Sequence, residues 1–385
     1  MTKVAWQSKK TVWIAAGGTA GHLLPALGVA EALIRGGLAR SEIGFIGSTR
    51  PLESQLVTPY GFELVQLDLR GFVRKLSSTN ILGLWLLLKA TWRLVIAARK
   101  THPKVLIGFG GYFSFPPVIA AKITGIPCVI VETNAVAGLA NRLASKIATE
   151  VLVSSETSGL KGAKKVGVPL RPEISSWRAS RQQKDSFRRA QNIDESAFLV
   201  CVFGGSLGSF TVNTAVLDLV EWWQARDDLD IVVYHVIGSR DFPKFEDRAR
   251  QRSGVVSKVK YIYSEFDSQI YKALSECDLV VSRAGSGTVA ELGYFGKAAV
   301  LVPLPNAPGD HQNKNAQMLA NLGAARVIFD DELSKERLGS VVEALYRDRS
   351  VLDEMSKRSA ESFKGDGAPQ IGELVLGLMA KEGGE

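Results

Sequence analysis

The chain has 385 residues, of which 46% are hydrophobic and 22% charged, and its formal net charge is +8. This length predicts two domains, and this composition excludes disordered and low-complexity classes of protein. The positive charge favours an anionic partner such as nucleic acid, a phosphorylated metabolite or an acidic membrane. The three cysteines lie far apart in apolar runs, which argues against a disulfide framework or a zinc site.

The sequence predicts neither a targeting segment nor a membrane-spanning segment. The first ten residues carry charge but no apolar stretch, which indicates a cytoplasmic protein without a signal peptide. The longest apolar run, residues 81–88, is followed by Lys89 and Arg93 and is too short to cross a bilayer.

Strand-like apolar runs alternate with helix-like segments from the start of the chain. In the first half these runs cover residues 12–16, 43–46, 64–67, 105–109, 128–131 and 151–154. Residues 161–191 are rich in Lys and Arg and contain Pro169 and Pro172, so we interpret them as an interdomain connection with a lead-in helix. The alternation then resumes, with runs at residues 198–203, 231–237, 259–263, 279–282, 299–302 and 325–329. Short apolar strands separated by helices predict an α/β protein with parallel sheets.

The second half of the chain repeats the first in outline. The segment AAGGTAGH recurs as VFGGSLGS 187 residues later, and GIPCVIVE corresponds to GKAAVLVP after 171 residues. This repetition predicts two Rossmann-like, doubly wound domains that face each other across a cleft, with ligands at the carboxyl ends of the strands. We place the domains at residues 1–170 and 171–351. A helical segment at about residues 352–381 is expected to pack back on the first domain.

A glycine loop follows the first predicted strand. Gly17 and Gly18 allow a sharp turn close to a ligand, and the next helix would direct its unpaired N–H groups towards an anion. His22 lies in the first turn of that helix and is the only side chain near the loop that titrates close to neutral pH. Because such turns also occur for steric reasons alone, the loop by itself leaves both a ligand site and a purely structural turn open.

Four glycine-bearing loops follow predicted strands, at residues 17–22, 108–112, 204–209 and 283–288. None matches the GxxxxGK[ST] pattern, so hydrolysis of ATP or GTP is not predicted. A dinucleotide fingerprint is also lacking, because the first loop reads GGTAGH and no acidic residue ends the next strand. Arg50 at that position keeps an NADP site open as an alternative.

The loop at residues 283–288 leads into a predicted helix whose start favours an anion. Its N–H groups from Ser286 onwards are suited to a diphosphate. Glu291, one turn further, is able to accept two hydrogen bonds from a ribose diol; the alternative is an exposed helical glutamate without a ligand. Residues 310–315, DHQNKN, gather polar groups after a strand, which is typical of a functional loop in this architecture.

Seven ordered blocks of the sequence carry a family resemblance: GGTAGHLLPALGVAEAL, GFGGYFSFPPVIAAKITGIP, ETNAVAGLANRLASKIA, VGVPLR, FGGSLGS, SRAGSGTVAELGYFGKAAVLVP and DHQNKNAQMLANLGAA. Together they resemble the MurG family, bacterial peptidoglycan glycosyltransferases with a GT-B fold. The resemblance implies inverting transfer of N-acetylglucosamine from UDP-N-acetylglucosamine to the muramyl 4-hydroxyl of undecaprenyl-linked lipid I, giving lipid II. It implies no required cofactor, because the UDP-sugar is a substrate. We predict no metal-ligating residues, and the response to metal ions stays open.

The resemblance also implies roles for individual residues. Donor-binding roles fall on Ser206, Phe266, Arg283, Ser286, Gly287, Thr288, Val289, Ala290, Glu291 and Gln312. First-domain and hinge positions that complete the donor site are matched by Thr19, Ala20, Gly21, Asn134 and Arg171. The loops that would face the diphosphate of the acceptor contain Gly17, Gly18, Gly110, Gly111 and Tyr112.

An inverting transfer needs a base for the acceptor proton, an anion cradle for the departing UDP and exclusion of water. His22 matches the candidate base of the family; the alternative is that it only hydrogen-bonds the acceptor or the loop. Glu132 matches a rival position beside the acceptor. The HEQN block of the family is VETN at residues 131–134, and its GGSQG loop is GGSLG, with Leu207 in place of glutamine. These departures bear on acceptor and donor recognition.

The apolar segment after residue 81 predicts a membrane-binding surface, because apolar burial and basic charge together bind anionic lipid. The residues of this surface are Leu82, Leu84, Trp85, Leu86, Leu87, Lys89, Trp92, Arg93 and Val95. The basic residues that flank it are Arg74, Lys75, Arg99 and Lys100. The alternative is a helix that simply belongs to the core, because the run is apolar on nearly all sides.

The expected partners are UDP-N-acetylglucosamine, lipid I, the cytoplasmic leaflet of an anionic membrane and other cell-wall enzymes, with no nucleic acid. The protein is therefore expected to be cytoplasmic and peripheral on the inner face of the cell membrane. Three alternative functions stay open. They are a lipid glycosyltransferase with another UDP-sugar or acceptor, a UDP-N-acetylglucosamine epimerase, and a non-catalytic UDP-sugar-binding subunit.

Overall fold

The computed structural model describes residue 6 and residues 9–69, 78–177 and 186–382. The chain divides into two compact units. Unit 1 comprises Met1–Ser175 together with Gly365–Glu385, and unit 2 comprises Ser176–Lys364. Each unit is built around a sheet of its own.

In the described part of unit 1, seven parallel strands form one sheet. They are β1 (Val12–Ala15), β2 (Ile43–Ser48), β3 (Glu63–Leu67), β4 (Val105–Gly108), β5 (Cys128–Glu132), β6 (Glu150–Val153) and β7 (Lys164–Lys165). Their order across the sheet is β3-β2-β1-β4-β5-β6-β7. The helices of this unit are α1 (Ala20–Arg35), α2 (Pro51–Val57), α3 (Ser78–Thr101), α4 (Phe115–Thr124), α5 (Leu139–Ala144), α6 (Pro172–Trp177), which ends just past the unit boundary, and α15 (Gly367–Glu382).

In the described part of unit 2, six parallel strands form the second sheet. They are β8 (Phe198–Phe203), β9 (Ile231–Val236), β10 (Lys260–Ser264), β11 (Leu279–Ser282), β12 (Ala298–Leu301) and β13 (Ala325–Val327). Their order is β10-β9-β8-β11-β12-β13. The helices are α7 (Ser186–Ala190), α8 (Phe210–Gln224), α9 (Phe242–Ser253), α10 (Ile270–Glu276), α11 (Ser286–Phe295), α12 (His311–Asn321), α13 (Lys335–Arg347) and α14 (Arg349–Ser362).

Both faces of each sheet are covered, as β1 illustrates. Val12 and Ile14 belong to a buried cluster shared with α1 and α15, whereas Trp13 and Ala15 belong to a cluster shared with α3 and α4. A strand that is buried on both faces reads as a continuous apolar run, which is why the sequence predicted these strands. The predicted α/β class with two doubly wound parallel sheets is confirmed.

The strand order of each sheet reverses beside its first strand. In unit 1, β1 lies between β2 and β4, and in unit 2, β8 lies between β9 and β11. At such a reversal the loops that leave the two neighbouring strands run to opposite faces, which opens a crevice at the carboxyl ends of the strands. The four glycine loops follow β1, β4, β8 and β11, so each pair of them lies at one of these crevices.

Two predicted segments differ from the structure. Residues 352–381 form two helices rather than one: α14 belongs to unit 2, and α15 packs on α1 in unit 1. Gly365, between them, has a φ of +102°, and this conformation cannot continue a right-handed helix. The predicted connection at residues 161–191 also contains β7, whose two lysines give no apolar signal, and its residues 178–185 lie outside the described ranges.

Candidate active site

The first glycine loop of unit 1 joins β1 to the start of α1. Gly18 has a φ of +90°, which favours glycine, and Thr19 precedes the first helical residue, Ala20. The N–H groups of Ala20 and Gly21, at the start of the first turn, have no acceptor one turn earlier in the helix. The helix therefore presents the positive end of its dipole at the carboxyl edge of the sheet, where an anion is stabilised.

The imidazole of His22 is held against this loop. Its Nδ1 lies 3.2 Å from the carbonyl oxygen of Gly17 and 3.2 Å from Oγ1 of Thr19. A carbonyl oxygen only accepts hydrogen bonds, so the contact with Gly17 requires the proton to be on Nδ1, whereas the Thr19 hydroxyl adapts to either form. In the neutral ring the lone pair is then on Nε2, which is the nitrogen that can act as a base.

The second glycine loop of unit 1, after β4, lies against the first. Gly110 and Gly111 have φ values of +87° and +77°, and Tyr112 follows in a short 3-10 turn. A Cβ atom on Gly111 would come within 3.0 Å of the Gly17 carbonyl oxygen and 3.5 Å of the His22 imidazole. The structure thus brings together Gly17, His22 and Gly111, three residues that the sequence predicted for one site.

Glu132, the rival base, is buried at the end of β5 with 3% of its surface exposed. Its Oε1 accepts hydrogen bonds from the backbone N–H and the side-chain amide of Asn134, at 3.0 and 2.9 Å. Its Oε2 accepts from the Gly138 N–H at 3.1 Å and from the Asn141 amide at 2.9 Å. Four donors occupy the four lone-pair positions of a carboxylate, so this side chain organises the loop that follows β5.

Sequence reasoning missed Glu53, on α2, although it contacts the predicted loop directly. Its carboxylate is fully buried and accepts a hydrogen bond from the N–H of Gly18 at 2.8 Å. It also accepts short hydrogen bonds from the N–H and the hydroxyl of Ser48, at the end of β2. A Cβ on Gly47 would come within 2.0 Å of this carboxylate. The signal in the sequence is an acid at the third position of a helix that begins with Pro51.

Arg171, predicted to complete the donor site, lies just before α6. Nearby, the hydroxyl of Tyr60 donates a short hydrogen bond to Glu173. Burial and that hydrogen bond raise the pKa of Tyr60 well above its usual range, and the positive charge of Arg171 partly opposes the rise. Arg171 thus acts electrostatically on the Tyr60 and Glu173 pair.

In unit 2, the glycine loop after β8 crosses the loop after β9 at very close range. Gly208 and Gly238 have φ values of +91° and +94°. A Cβ on Gly238 would come within 2.1 Å of the Gly208 nitrogen, and one on Gly208 within 2.3 Å of the Ile237 carbonyl oxygen. The carbonyl oxygen of Ser206 accepts from the N–H of Ser239 at 3.1 Å. Only glycine allows this backbone crossing, which fixes the predicted donor loop.

A series of hydrogen-bonded, buried polar side chains supports this backbone crossing. The Asn213 amide donates to the Ile237 carbonyl oxygen at 3.1 Å, and its oxygen lies 3.0 Å from Nε2 of His235. Nδ1 of His235 lies 3.0 Å from the Tyr261 hydroxyl. Burial lowers the pKa of His235 to about 3, so the ring is neutral. The Asn213 amide also lies 3.5 Å from the buried carboxylate of Asp241, which is paired with Arg240.

The helix α11 of unit 2 begins at Ser286, directly after the glycine loop that follows β11. Gly287 and Thr288 occupy its first turn, where helical N–H groups are directed at the crevice. Ser286 and Glu291 are both buried, with exposed fractions of 7% and 8%. The alternative of an exposed helical glutamate at position 291 is therefore wrong, because α11 packs its Glu291 side inward.

Arg283 joins three loops at the carboxyl edge of the unit 2 sheet. Its guanidinium donates to the carbonyl oxygens of Val302 and Pro303 at 3.2 and 3.1 Å, and to Asp330 at 2.5 Å. It also donates to the Thr211 hydroxyl at 3.0 Å. Through these contacts, Arg283 holds the loops after β11, β12 and β13 together.

Gln312, on α12, also connects two of these loops. Its side-chain oxygen accepts from the N–H of Ala284 at 3.2 Å and from the N–H of Leu304 at 3.0 Å. Beside it, a cavity of about 360 Å³ is lined by Pro303, Leu304, Pro305, Asp310, Asn313, Phe329, Asp330 and Asp331. On the other side of β8, Phe266 follows β10 and exposes half of its surface. The predicted donor residues of unit 2 thus line the same edge of one sheet.

The predicted membrane surface lies on α3, which has two apolar faces. One face is buried in the core and includes Leu87, Leu94 and Val95. The other exposes between 40% and 60% of each of six large side chains: Leu82, Leu84, Trp85, Leu88, Trp92 and Ile96. Nζ of Lys89 lies 4.4 Å from the centre of the Trp85 ring.

Five predicted members of that surface need comment. The predictions for Leu86, Leu87 and Val95 are wrong, because Leu86 is half-buried and packs against the core, and Leu87 and Val95 are buried. Arg74 and Lys75 lie outside the described residues.

Among the helices that the structure describes, none is long and apolar enough to cross a membrane. In the same ranges, no group of three or more His, Cys, Asp or Glu side chains is arranged to hold a metal ion.

Comparison with known proteins gives concordant matches to both units. Residues 12–153 match the model of the glycosyltransferase family 28 N-terminal domain, and residues 199–371 match that of the C-terminal domain. A relative from Thermodesulfovibrio yellowstonii is 34% identical over 375 residues, which cover 96% of this chain and 99% of the relative. A second, from Desulforudis audaxviator, is 32% identical over 381 residues, with 97% and 99% covered.

Both relatives are named UDP-N-acetylglucosamine--N-acetylmuramyl-(pentapeptide) pyrophosphoryl-undecaprenol N-acetylglucosamine transferase. Among solved structures, MurG from Acinetobacter baumannii matches with a TM-score of 0.74 and 26% identity. This match covers 96% of the present chain and 100% of that chain. The GT-B fold expected from the sequence is therefore confirmed.

Proposed function

Because this chain belongs to glycosyltransferase family 28, we propose that it transfers N-acetylglucosamine from UDP-N-acetylglucosamine to the muramyl 4-hydroxyl of lipid I, which yields lipid II. The observation that carries this proposal is the 34% identity to a transferase of that name along 96% of the chain. The three alternative functions are not favoured, because relatives that match nearly the whole chain share this one name.

We assign the donor to unit 2. The start of α11, at Ser286, Gly287 and Thr288, supplies N–H groups and a helix dipole for the diphosphate, which leaves as UDP. Glu291, one turn further and buried, is suited to accept hydrogen bonds from the two ribose hydroxyls. Half-exposed Phe266 offers a ring face for the uracil base. Val289 and Ala290 pack α11 so that these groups keep their positions.

We assign the acceptor to unit 1, where His22 acts as the base. Nε2 of His22 takes the proton from the muramyl 4-hydroxyl, and the resulting oxygen nucleophile attacks the anomeric carbon of the donor sugar. The bond from that carbon to the phosphate oxygen breaks, UDP leaves, and the anomeric configuration is inverted. No atom changes oxidation state, so the proposed reaction needs no redox cofactor. The start of α1 and the loop at residues 108–112 face the acceptor diphosphate.

Glu132 has a positioning role in this proposal. A base must present a lone pair to the substrate hydroxyl, whereas both carboxylate oxygens of Glu132 already accept two hydrogen bonds each. The Nδ1 contact of His22, in contrast, orients Nε2 as the basic nitrogen. The geometry therefore favours His22 for proton transfer and Glu132 for holding the loop that contains Asn134.

We further propose that the exposed face of α3 binds the cytoplasmic surface of an anionic membrane, in which the undecaprenyl chain of the acceptor remains. Trp85 and Trp92 expose 53% and 60% of their surfaces, and Lys89 and Arg93 lie beside them. Apolar side chains that enter the interface, together with basic side chains, are the combination that holds a peripheral protein on anionic lipid.

Transfer of labelled N-acetylglucosamine to a short-chain lipid I analogue tests the proposed function. We expect a labelled disaccharide product that depends on both substrates, and no conversion of UDP-N-acetylglucosamine alone. Conversion of the nucleotide sugar without acceptor would identify an epimerase. Binding of UDP-N-acetylglucosamine without any transfer would contradict the proposal and identify a binding subunit.

A further inference from the structure

Glu53 is a buried carboxylate to which neither the family comparison nor the proposed chemistry gives a part. It lies on α2, outside the four glycine loops, and none of its surface is exposed. Its three donors are the N–H of Gly18, at 2.8 Å, and the N–H and hydroxyl of Ser48. A carboxylate removed from water in this way requires such donors, and one of them belongs to the loop that holds His22.

The peptide group between Gly17 and Gly18 connects Glu53 to His22. Its N–H, on Gly18, donates to Oε1 of Glu53, and its C=O, on Gly17, accepts from Nδ1 of His22 at 3.2 Å. The two hydrogen bonds lie at opposite ends of one planar, polarisable group. A carboxylate at the N–H end draws the N–H dipole towards itself and increases the negative charge on the carbonyl oxygen, because hydrogen bonds in a chain strengthen each other.

We propose that Glu53 is a positioning residue for His22 and acts on it through the peptide group between Gly17 and Gly18. Three effects follow. The strengthened carbonyl keeps the proton on Nδ1, so Nε2 carries the lone pair. The ring is held in one orientation towards the acceptor. The positive charge that His22 acquires after taking the acceptor proton is stabilised, as a carboxylate stabilises the imidazolium of a serine protease by direct contact. The part of this inference that concerns rate rests on the proposed function of His22.

The surroundings are built to hold this arrangement. Gly47 leaves room for the carboxylate, because a Cβ there would lie 2.0 Å from Oε2 of Glu53. The guanidinium of Arg50, at the start of α2, donates to the carbonyl oxygen of Gly18 at 3.0 Å and lies over the ring of Phe113 at 5.8 Å. Glu53 and Arg50, at the start of α2, therefore hold the two peptide groups on either side of Gly18. Besides Glu53, a second charged side chain, that of Arg50, thus contacts this loop.

Replacement of Glu53 by Gln tests the inference in the full-length protein. We expect kcat for transfer to the lipid I analogue to fall about 10- to 100-fold, as for other residues that orient a reacting imidazole, with the KM for UDP-N-acetylglucosamine within about twofold of wild type. In ¹⁵N NMR spectra of the protein with labelled histidine, neutral His22 is expected to change from the Nδ1–H form to a mixture of both tautomers. The acidic limb of the kcat/KM profile is expected to move to lower pH by a few tenths of a unit, because loss of a negative charge disfavours the imidazolium.

Two further variants separate this role from a general loss of stability. Val57→Ala opens a cavity at a fully buried position on the same helix and keeps Glu53 and the peptide group between Gly17 and Gly18. It should therefore lower the unfolding temperature but leave the His22 tautomer and kcat unchanged. Glu53→Asp keeps the charge and should recover part of kcat. An unchanged His22 tautomer in Glu53→Gln, with a loss of kcat no larger than in Val57→Ala, would overturn the inference. The NMR measurement needs no substrate. A wild-type protein that makes no lipid II would therefore contradict the proposed function, whereas the effect of Glu53 on the His22 tautomer could still be tested.

Discussion

The two units share a strand order but support their glycine loops in different ways. In unit 1 the loop after β1 is held by a buried carboxylate, Glu53, and by the imidazole of His22. In unit 2 the loop after β8 is held by a backbone crossing at Gly208 and Gly238, over a neutral His235. A buried carboxylate suits a loop beside the imidazole that we propose as the base. In unit 2 the buried carboxylate of Asp241 lies against Gly208 and is paired with Arg240, whose guanidinium donates to the Gly208 carbonyl oxygen at 3.3 Å, so its charge is balanced.

The two units also differ in net charge. Unit 1 contains 22 Lys and Arg against 13 Asp and Glu, a net charge of +9, and unit 2 contains 25 against 26, a net charge of −1. The positive charge of the chain is therefore located in the unit that carries the exposed apolar face of α3. Because a basic surface is attracted to anionic lipid over about a Debye length, this asymmetry agrees with the proposal that the exposed face of α3 binds an anionic membrane.

The largest expected effect tests the assignment of proton transfer to unit 1. His22→Ala should lower kcat about 10²- to 10⁴-fold, because general base catalysis contributes that much, while the affinity for UDP-N-acetylglucosamine, held by unit 2, should be nearly unchanged. Steady-state kinetics with the lipid I analogue measure kcat, and calorimetric titration with UDP-N-acetylglucosamine in the absence of acceptor measures the affinity. A large loss of donor affinity with kcat preserved would reverse the assignment of the two units.

The next effect concerns the membrane surface of unit 1. Replacing Trp85 and Trp92 by Asp should weaken binding to vesicles that contain anionic lipid about 10- to 100-fold, because two apolar side chains would no longer enter the interface. Vesicle sedimentation measures this, and transfer to a water-soluble acceptor should persist. Val256→Asp, at a fully exposed apolar position of unit 2, is the matched control. Equal binding by both variants would show that the membrane contacts another surface.

A smaller effect tests the donor site of unit 2. Glu291→Gln keeps the shape of a buried side chain but removes the charge, so the dissociation constant for UDP-N-acetylglucosamine should rise about tenfold. Calorimetry gives the affinity, and Glu336→Gln, on the exposed surface of α13, should bind the donor normally. The His22 tautomer should be the same in both variants. If the affinity is unchanged while kcat falls, Glu291 serves the reaction rather than the donor.

The last expected effect concerns the stability of unit 2 and its dependence on pH. The unfolded chain protonates His235 below its ordinary pKa near 6.5, whereas the folded chain does so only at about 3. Stability is therefore complete above pH 6.5 and decreases as the pH falls towards 3, by about 2 kcal/mol between pH 6.5 and 5. Hydrogen exchange of β9 at pH 7 and 5 measures the opening free energy. His235→Gln should lose most of this pH dependence, and an unchanged slope would show that other groups cause it.

Much of the fold could be predicted because its signals are local. The strands of both sheets are short apolar runs, and the four glycine loops directly follow four of them, so their positions were accessible from the sequence. The two-lysine strand β7 was missed because an edge strand of two residues has no apolar pattern. The single helix expected at residues 352–381 was wrong, because the chain leaves the helix at Phe363, whose backbone is extended, and turns at Gly365, whose φ is positive.

The class of fold, the loops that could bind anions and the presence of His22 beside one of them follow from local sequence patterns. Which side chains reach these loops depends on the packing of distant segments. Glu53 contacts Gly18 from 35 positions away, and Arg283 is tied to Asp330 over 47 positions. The same holds for α3, where one apolar run is divided between core and surface. Hydrogen bonds and burial depend on distances between separate segments, and no local pattern of residues contains those distances.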